Sequence, residues 1–307
     1  MSESPIPCPR PWRARALKQL AAAGDQKALA ELVAAIESAS GQPEAAWAGL
    51  LIAPGPGGPQ AATWVQPLAG NTAQLWPPLN DARFAPALLR AAAGWAAAQG
   101  LSIVQAVIDT ADETTGALLN ENGFPALADL LYLSAPAAPH SRRASYDAGK
   151  EPVSFEAVGP LPSSRLIDLM KLIEDHSLDC PGLQGVLAPT QAIEGFRRQG
   201  QFVPEHWCVV RYGGQDAGAL LLTMHPEIGC WELLYMGVVP RWRGHGLGER
   251  IIDEALLRTS TAGANLLLLS VDANNLPARR LYERAGFQVY AKRTLYAWAA
   301  ETPSKAD

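Results

Sequence analysis

Two stretches of this 307-residue chain echo each other at one fixed spacing. Pro77 and Pro240, Gly100 and Gly263, Asp109 and Asp272, Gly123 and Gly286, and Phe124 and Phe287 each stand 163 positions apart. LLNENGF (Leu118–Phe124) therefore lies over LYERAGF (Leu281–Phe287), and IVQAVID over LLLLSVD, without a gap. Apolar strands alone align cheaply, but turn residues and an acidic strand end held in one register predict an internal duplication of an α/β unit. The alternative is two α/β units that share only turn chemistry. Either way, the length suffices for two domains that each bury a core.

The elements follow the same plan. SAPAAPHSRRASYDAGKEP, from Ser134 to Pro152, has no apolar period and is rich in Pro, Ala, Ser and charge, so it reads as a linker. The chain then divides into an N-terminal tail (1–14), a first domain (15–135), a linker (136–151), a second domain (152–300) and a C-terminal tail (301–307). In the first half, Leu29, Leu32, Val33 and Ile36 have helical spacing after Asp25, a suitable N-cap. The runs around Leu50–Ala53 and Ala61–Leu68 flank APGPGGPQ and predict a hairpin. The second half reads βααβββαβαβ, which demands a mixed sheet with helices on both faces. The fold class is α/β with a mixed sheet, in tandem.

Composition excludes little but points one way. A formal net charge of −5 gives no ground for a nucleic-acid surface. No apolar run is long enough to span a bilayer, and the N-terminus lacks the hydrophobic centre of a signal peptide, so neither a membrane nor export is expected and the location is read as cytoplasmic. Cys8, Cys180, Cys208 and Cys230 lack metal-ligand spacing, so they are expected as free thiols, with Cys180 a packing residue and Cys208 and Cys230 in the core; no metal is expected.

The chemistry gathers around VPRWRGHGLGER, Val239 to Arg250. Glycines let a backbone approach a ligand closely, and the helix that begins there presents unpaired N–H groups at the positive end of its dipole, which together suit phosphate. A Walker loop requires Gly-Lys-Ser/Thr, yet Gly248 precedes Glu249 and Arg250. The dinucleotide fingerprint lacks its third glycine and its acidic ribose partner. Arg243, Gly246 and Gly248 instead spell Arg-x-x-Gly-x-Gly after a strand ending in Val-Pro, and VDANNLPARRLYERAGF (Val271–Phe287) follows one helix and one strand later. Both motifs resemble those of the GNAT acetyltransferase superfamily, over about Pro152 to Ala300.

That resemblance implies a cofactor-like co-substrate, acetyl-CoA, and places it. Its pyrophosphate falls to Arg243, Gly244, His245, Gly246, Leu247 and Gly248, with Glu249 opening the helix. Its pantetheine arm pairs like an added strand with Met236, Gly237 and Val238, where two parallel strands splay, and an amide near Val238 faces the developing oxyanion. Asn275 matches a cofactor contact. Tyr282, seven residues further on the same helix face, matches the proton donor to the departing thiolate, a role suited to a phenol near its ordinary pKa of about 10. Glu232 stands where part of the family carries a strand glutamate acting as base. If the strand alternates regularly, Glu232, Leu234 and Met236 share a face, and apolar neighbours would raise the carboxyl. His225 and His206 are the other candidates for the base. Asp179, in the loop that covers the acceptor in this family, either binds an amine or caps a local turn.

At the same offset the first half carries Asn80, Arg83 and Ala85 in place of Arg243, Gly246 and Gly248, and Leu119 in place of Tyr282. It is therefore expected to be a degenerate GNAT-like domain, as in tandem members of the family whose C-terminal domain is active. The implied activity is direct acetyl transfer to a primary amine of a small molecule. A peptide acceptor and a non-catalytic CoA sensor are the alternatives, and the chain is expected as a monomer or homodimer.

Overall fold

The computed structural model describes residues 4–22, 26–137, 152–159 and 164–300. In chain order the elements are β1 (Ile6–Pro7), α1 (Arg13–Ala21), α2 (Gln26–Ser40), β2 (Leu50–Gly55), β3 (Gly58–Leu68), β4 (Thr72–Trp76), α3 (Ala85–Ala98), β5 (Ile103–Asp109), α4 (Glu113–Glu121) and β6 (Ala126–Pro136). They continue as β7 (Val153–Ala157), α5 (Ser164–Glu174), α6 (Pro189–Arg197), β8 (Gln201–Tyr212), β9 (Gln215–His225), β10 (Cys230–Val238), α7 (Leu247–Thr261), β11 (Leu266–Asp272), α8 (Leu276–Arg284) and β12 (Gln288–Ala299).

Two compact units divide them, and the division is not the one the linker suggests. Residues 129–136 of β6 belong to the second unit, and Thr294–Ala299 of β12 belong to the first. The expected domain limits at 135 and 152 are corrected accordingly, because backbone pairing overrides chain order. Leu130–Pro136 pair antiparallel with Leu266–Asp272 of β11 in a run of seven partners. The expected tail 1–14 is also partly structured, since Ile6 and Pro7 pair with Ile52 and Leu51 and a 3-10 turn spans Arg10–Trp12. Residues 138–151 of the expected linker, the tail 301–307 and the expected cap Asp25 lie outside the described residues.

In the first unit the strand order is β1-β2-β3-β4-β5, with β12 next to β5. The predicted hairpin is β2 and β3, from Leu50 opposite Trp64 to Gly55 opposite Gly58. Helices α3 and α4 bury Leu88, Leu89, Ala92, Leu118 and Leu119 on one face. On the other face, α1 and α2 pack against Trp47 and Trp64, which stack with ring centroids 5.2 Å apart. The expected apolar stripe of α2 is only partly used: Leu32 is buried with Ala35 and Ala39, whereas Leu29 and Val33 are exposed. Small alanines let the helix settle close to the bulky indoles, which turns the leucine and valine outward.

In the second unit β7, β8, β9 and β10 run antiparallel, β10 and β11 run parallel, and β6 follows β11. Ile251, Ile252, Ala255 and Leu256 of α7 and Tyr282 and Ala285 of α8 cover one face. Leu166, Leu169, Met170 and Ile173 of α5 and Ile193 of α6 cover the other. The order and the two-sided cover are those read from the sequence.

The repeat reaches the element boundaries. β5 and β11 begin and end 163 residues apart, as do α4 and α8. Asp109 and Asp272 each turn the chain after their strand by accepting a backbone N–H two residues on, both at 2.8 Å. Asp112 and Asn275 cap the following helices by accepting from Thr115 N at 3.0 Å and Ala278 N at 3.3 Å. Gly123 and Gly286 both take φ of 90°, and Phe124 and Phe287 donate back to Leu119 O and Tyr282 O, each at 3.0 Å, which closes both helices in the same way.

Candidate active site

The glycine loop of the second unit has backbone that other residues would strain. Gly244 and Gly246 both take φ of 80°, a left-handed conformation that favours glycine. Gly246 is the N-cap of α7 and no side chain caps that end, so the first-turn amides of Leu247 and Gly248 have no acceptor within the helix. The helix dipole adds partial positive charge at this end, and Arg243, Gly244 and His245 before it are exposed. Leu247 is buried and offers only its backbone. A Cβ on Gly248 would stand 3.1 Å from Leu281 Cδ2, so the glycine also lets α7 approach α8. Glu249 pairs with Arg284 of α8 at 3.1 Å. The His245 ring lies near Trp242 and Tyr212, at centroid distances of 5.7 and 6.2 Å.

The Arg243 side chain is engaged within the protein. Its Nε donates to Val238 O at 3.0 Å, Nη1 to His176 O at 3.1 Å, and Nη2 to Ile173 O at 2.8 Å and Asp175 O at 3.0 Å. The guanidinium thus satisfies carbonyls at the C-terminal end of α5 and ties them to the end of β10. Its backbone N–H is engaged too, with Pro240 O at 3.1 Å. Arg243 braces the loop.

The expected splay is present between β10 and β11. Their parallel pairing runs from Cys230 and Leu266 to Leu233 and Leu269 and stops there, although the strands continue to Val238 and Asp272. Met236, Gly237 and Val238 therefore lie on the diverging part of β10, where an extended ligand can add as a strand. Gly237 is required for a second reason, since a Cβ there would collide with Ile173 of α5.

A bulge changes which side chains share a face. The register of β10 against β9 shifts between Leu233 and Tyr235. Trp231, Leu233, Met236 and Val238 consequently pack on the α7 and α8 side, whereas Leu234 and Tyr235 pack on the α5 and α6 side. Glu232 alternates with Trp231 and Leu233, so it shares a face with Leu234 but not with Met236, contrary to the regular alternation expected; the extra residue of the bulge is the cause. The carboxylate is not isolated among apolar groups either, because His225 Nε2 is 2.8 Å from Glu232 Oε2. That bond, ahead of the opposing effect of burial, holds the His225 imidazolium above its usual range. His206 packs edge-on against Trp231 at 4.4 Å, and burial lowers its pKa.

The loop after α5 reaches the end of β11. His176 and Cys180 both have positive φ, at 53° and 41°. Asp179 Oδ1 accepts from Asp272 N at 3.2 Å, and Asp272 Oδ2 accepts from Cys180 N at 3.2 Å, a reciprocal bridge. The Asn275 side chain also bonds Asp179. Asn275 is thus engaged as helix cap and loop anchor, and Asp179 caps no turn of its own loop. Asp179 is exposed, and desolvation by neighbouring atoms raises its carboxyl. Burial pushes the Cys180 thiol up to about 12, consistent with packing rather than reactivity. Tyr282 is buried beside Phe287 at 5.7 Å. Burial first, and the Asp179 charge second, lift its phenol well above the ordinary value expected from sequence.

Sequence reasoning missed Tyr235 and Glu174. The Tyr235 hydroxyl is enclosed and has no hydrogen-bond partner among the described residues, and its phenol is raised by burial and then by Glu174 and Asp179. No sequence signal reveals it, because the bulge that turns it to this face is visible only in the pairing. Asp272 was visible as a repeat identity but not as a partner of Asp179.

The first unit differs at the matching places. The amides of Arg83, Phe84 and Ala85, offset by 163 from those of Gly246 to Gly248, all donate to Asp81, the first to Oδ1 at 2.9 Å and the others to its carbonyl at 3.0 and 2.9 Å. Leu119, fully buried, occupies the Tyr282 position. The splay nevertheless recurs, since β4 and β5 pair only from Thr72 and Ile103 to Gln74 and Gln105.

Among the described residues no group of three or more His, Cys, Asp or Glu is placed to hold a metal, and no helix is long and apolar enough to cross a membrane. Residues 170–287 match the Acetyltransferase (GNAT) family. A mycothiol acetyltransferase of Renibacterium salmoninarum is 29% identical over 139 residues, 45% of this chain and 36% of that protein. One from Thermobifida fusca is 34% identical over 113 residues, 35% of this chain and 33% of that protein. The matched stretch thus spans about a third of these relatives' length. The fold resembles a GCN5-related N-acetyltransferase from Sphaerobacter thermophilus, at 18% identity and a TM-score of 0.58 over 97% of this chain and 94% of that one.

Proposed function

We propose that this chain, which carries a GNAT-family acetyltransferase domain at residues 170–287, transfers an acetyl group from acetyl-CoA to a primary amine of a small molecule. The observation that carries the proposal is the uncapped N-terminus of α7, behind left-handed glycines and beside strands that part after Leu233 and Leu269. The exposed glycine backbone and the first-turn amides fit a pyrophosphate, and the diverging edge of β10 fits an extended pantetheine chain. Acetyl-CoA supplies the thioester. Glu232 takes the proton that the attacking amine must lose, with His225 orienting the carboxylate through its hydrogen bond. The amide near Val238 stabilises the oxyanion, and Tyr282 gives a proton to the leaving sulfur. Holding both reactants in one cleft supplies the rest by proximity.

The relatives named mycothiol acetyltransferase support a small-molecule acceptor, but the acceptor itself is not carried over from a match of about a third of their length. The first unit is proposed as a degenerate copy, because its corresponding amides are held by Asp81 and it offers Leu119 in place of the phenol. The test is amine-dependent release of CoA thiol by the full chain over a panel of primary amines. Tyr282→Phe is expected to lower turnover roughly 10²-fold while acetyl-CoA affinity is kept, because only the proton donor is removed. Equal turnover in the variant would remove Tyr282 from the reaction, and CoA binding without turnover of any amine or peptide would favour a sensor.

A further inference from the structure

The uncapped first turn of α7 has a cation beside it that nothing within the chain engages. Two contacts fix how α8 runs along that turn. A Cβ built on Gly248 would stand 3.1 Å from Leu281 Cδ2, and Arg284 Nη2 lies 3.1 Å from Glu249 Oε1. A step back along α7 from Glu249 to Gly248 therefore matches a step back along α8 from Arg284 to Leu281. Continued in the same direction, α7 gives way to the glycine loop at Gly246. On the Arg284 flank of α8 the next residue is Arg280, one helical turn or about 5.4 Å further on.

Arg280 is exposed, and its side chain has no hydrogen bond or ion pair among the described residues, with Glu283 on the same helix included. The arginines around it are engaged. Arg284 faces Glu249, Arg279 donates from Nη1 to Ala273 O at 2.8 Å, Arg241 lies 5.5 Å over the Trp242 ring, and Arg243 serves four backbone carbonyls. Ala278, Leu281, Tyr282 and Ala285 turn the opposite side of α8 to the core, which leaves Arg280 at the solvent edge of the loop. Backbone amides suit the group that comes closest to the chain, here the pyrophosphate. A long side chain on an exposed helix flank suits a phosphate that stays outside, and a guanidinium fork matches two of its oxygens at once. CoA carries one such group, the 3′-phosphate of its ribose.

We propose that Arg280 holds the 3′-phosphate of acetyl-CoA, so that this chain selects CoA over 3′-dephospho-CoA as its acyl carrier. The inference rests on the acetyl-CoA reading above and adds to it a side chain that separates two carriers with the same thioester and the same pyrophosphate. The 3′-phosphate is remote from the reacting carbonyl, so the contact is equally strong before and during acetyl transfer. Its loss therefore raises KM for the donor and leaves kcat in place.

The experiment is calorimetric titration of CoA and of 3′-dephospho-CoA into the full chain and into its Arg280→Gln and Arg284→Gln variants, each checked for native folding by circular dichroism. The native chain is expected to bind CoA at least about tenfold tighter than 3′-dephospho-CoA, as a charge-assisted, two-pronged contact implies. Arg280→Gln should weaken CoA by about the same factor and leave 3′-dephospho-CoA where it was. Arg284→Gln, which removes the paired arginine one turn away, should keep the native ratio. Equal affinity of the native chain for the two ligands, a loss in Arg280→Gln that both ligands share, or a ratio that outlasts that substitution would overturn the assignment of Arg280 while leaving CoA binding in place. Binding of neither ligand to the native chain would overturn the acetyl-CoA reading, and the assignment with it.

Discussion

Tyr282 and Glu232 meet their surroundings in opposite ways. Tyr282 is enclosed in the core of the second unit, and its phenol is held protonated by burial. Glu232 is half-exposed and leans on His225. The His225 pair has a signature in stability. Its folded pKa is raised above the ordinary 6.5, chiefly by the hydrogen bond to Glu232, so the contribution is complete below that value and disappears as pH rises through the raised one. A His225→Gln chain is therefore expected to melt lower than the native chain at about pH 5.5 and alongside it at about pH 9. Equal melting differences at both would mean that the imidazolium is not what the carboxylate holds. The residue types at 232 and 282 were legible from motif spacing. Their environments were not, because a phenol's burial and a carboxylate's partner depend on strands brought together from elsewhere in the chain.

The elements of the second unit are locked around the glycine loop by one side chain. Arg243 joins the end of β10 to the end of α5, whose following loop carries Asp179. Arg243→Ala removes charged donors from four carbonyls, at a cost of about 2 kcal/mol. It should lower the thermal midpoint and weaken acetyl-CoA binding only in proportion to the loosened loop. An unchanged midpoint with a large loss of acetyl-CoA affinity would instead make the guanidinium a direct ligand. Element order and most boundaries in this unit could be read from periodicity and caps, as with α8 after Asn275. The bulge in β10 could not, since nothing in CWELLYMGVV distinguishes an extra residue from regular alternation, yet it moves Met236 to one face and Tyr235 to the other.

At the scale of the whole molecule the repeat told most of the story and hid one part of it. Identities at 163 residues fall at strand ends and helix caps, where the same turn must be made twice. They say nothing of which copy each last strand joins. Residues 129–136 lie in the second unit and Thr294–Ala299 in the first, so a cut in the linker separates strands from their partners, and binding must be measured on the intact chain. The central claim is that acetyl-CoA binds at the loop of the second unit, and that the first unit, whose corresponding amides are held by Asp81, does not bind it. Calorimetric titration of acetyl-CoA into the full chain and into its Gly246→Val variant tests this most directly. The account predicts one site per chain, lost in the variant because a branched side chain is strained at a φ of 80° and crowds the close approach of the ligand. Two sites, or a single site that survives the substitution, would contradict it.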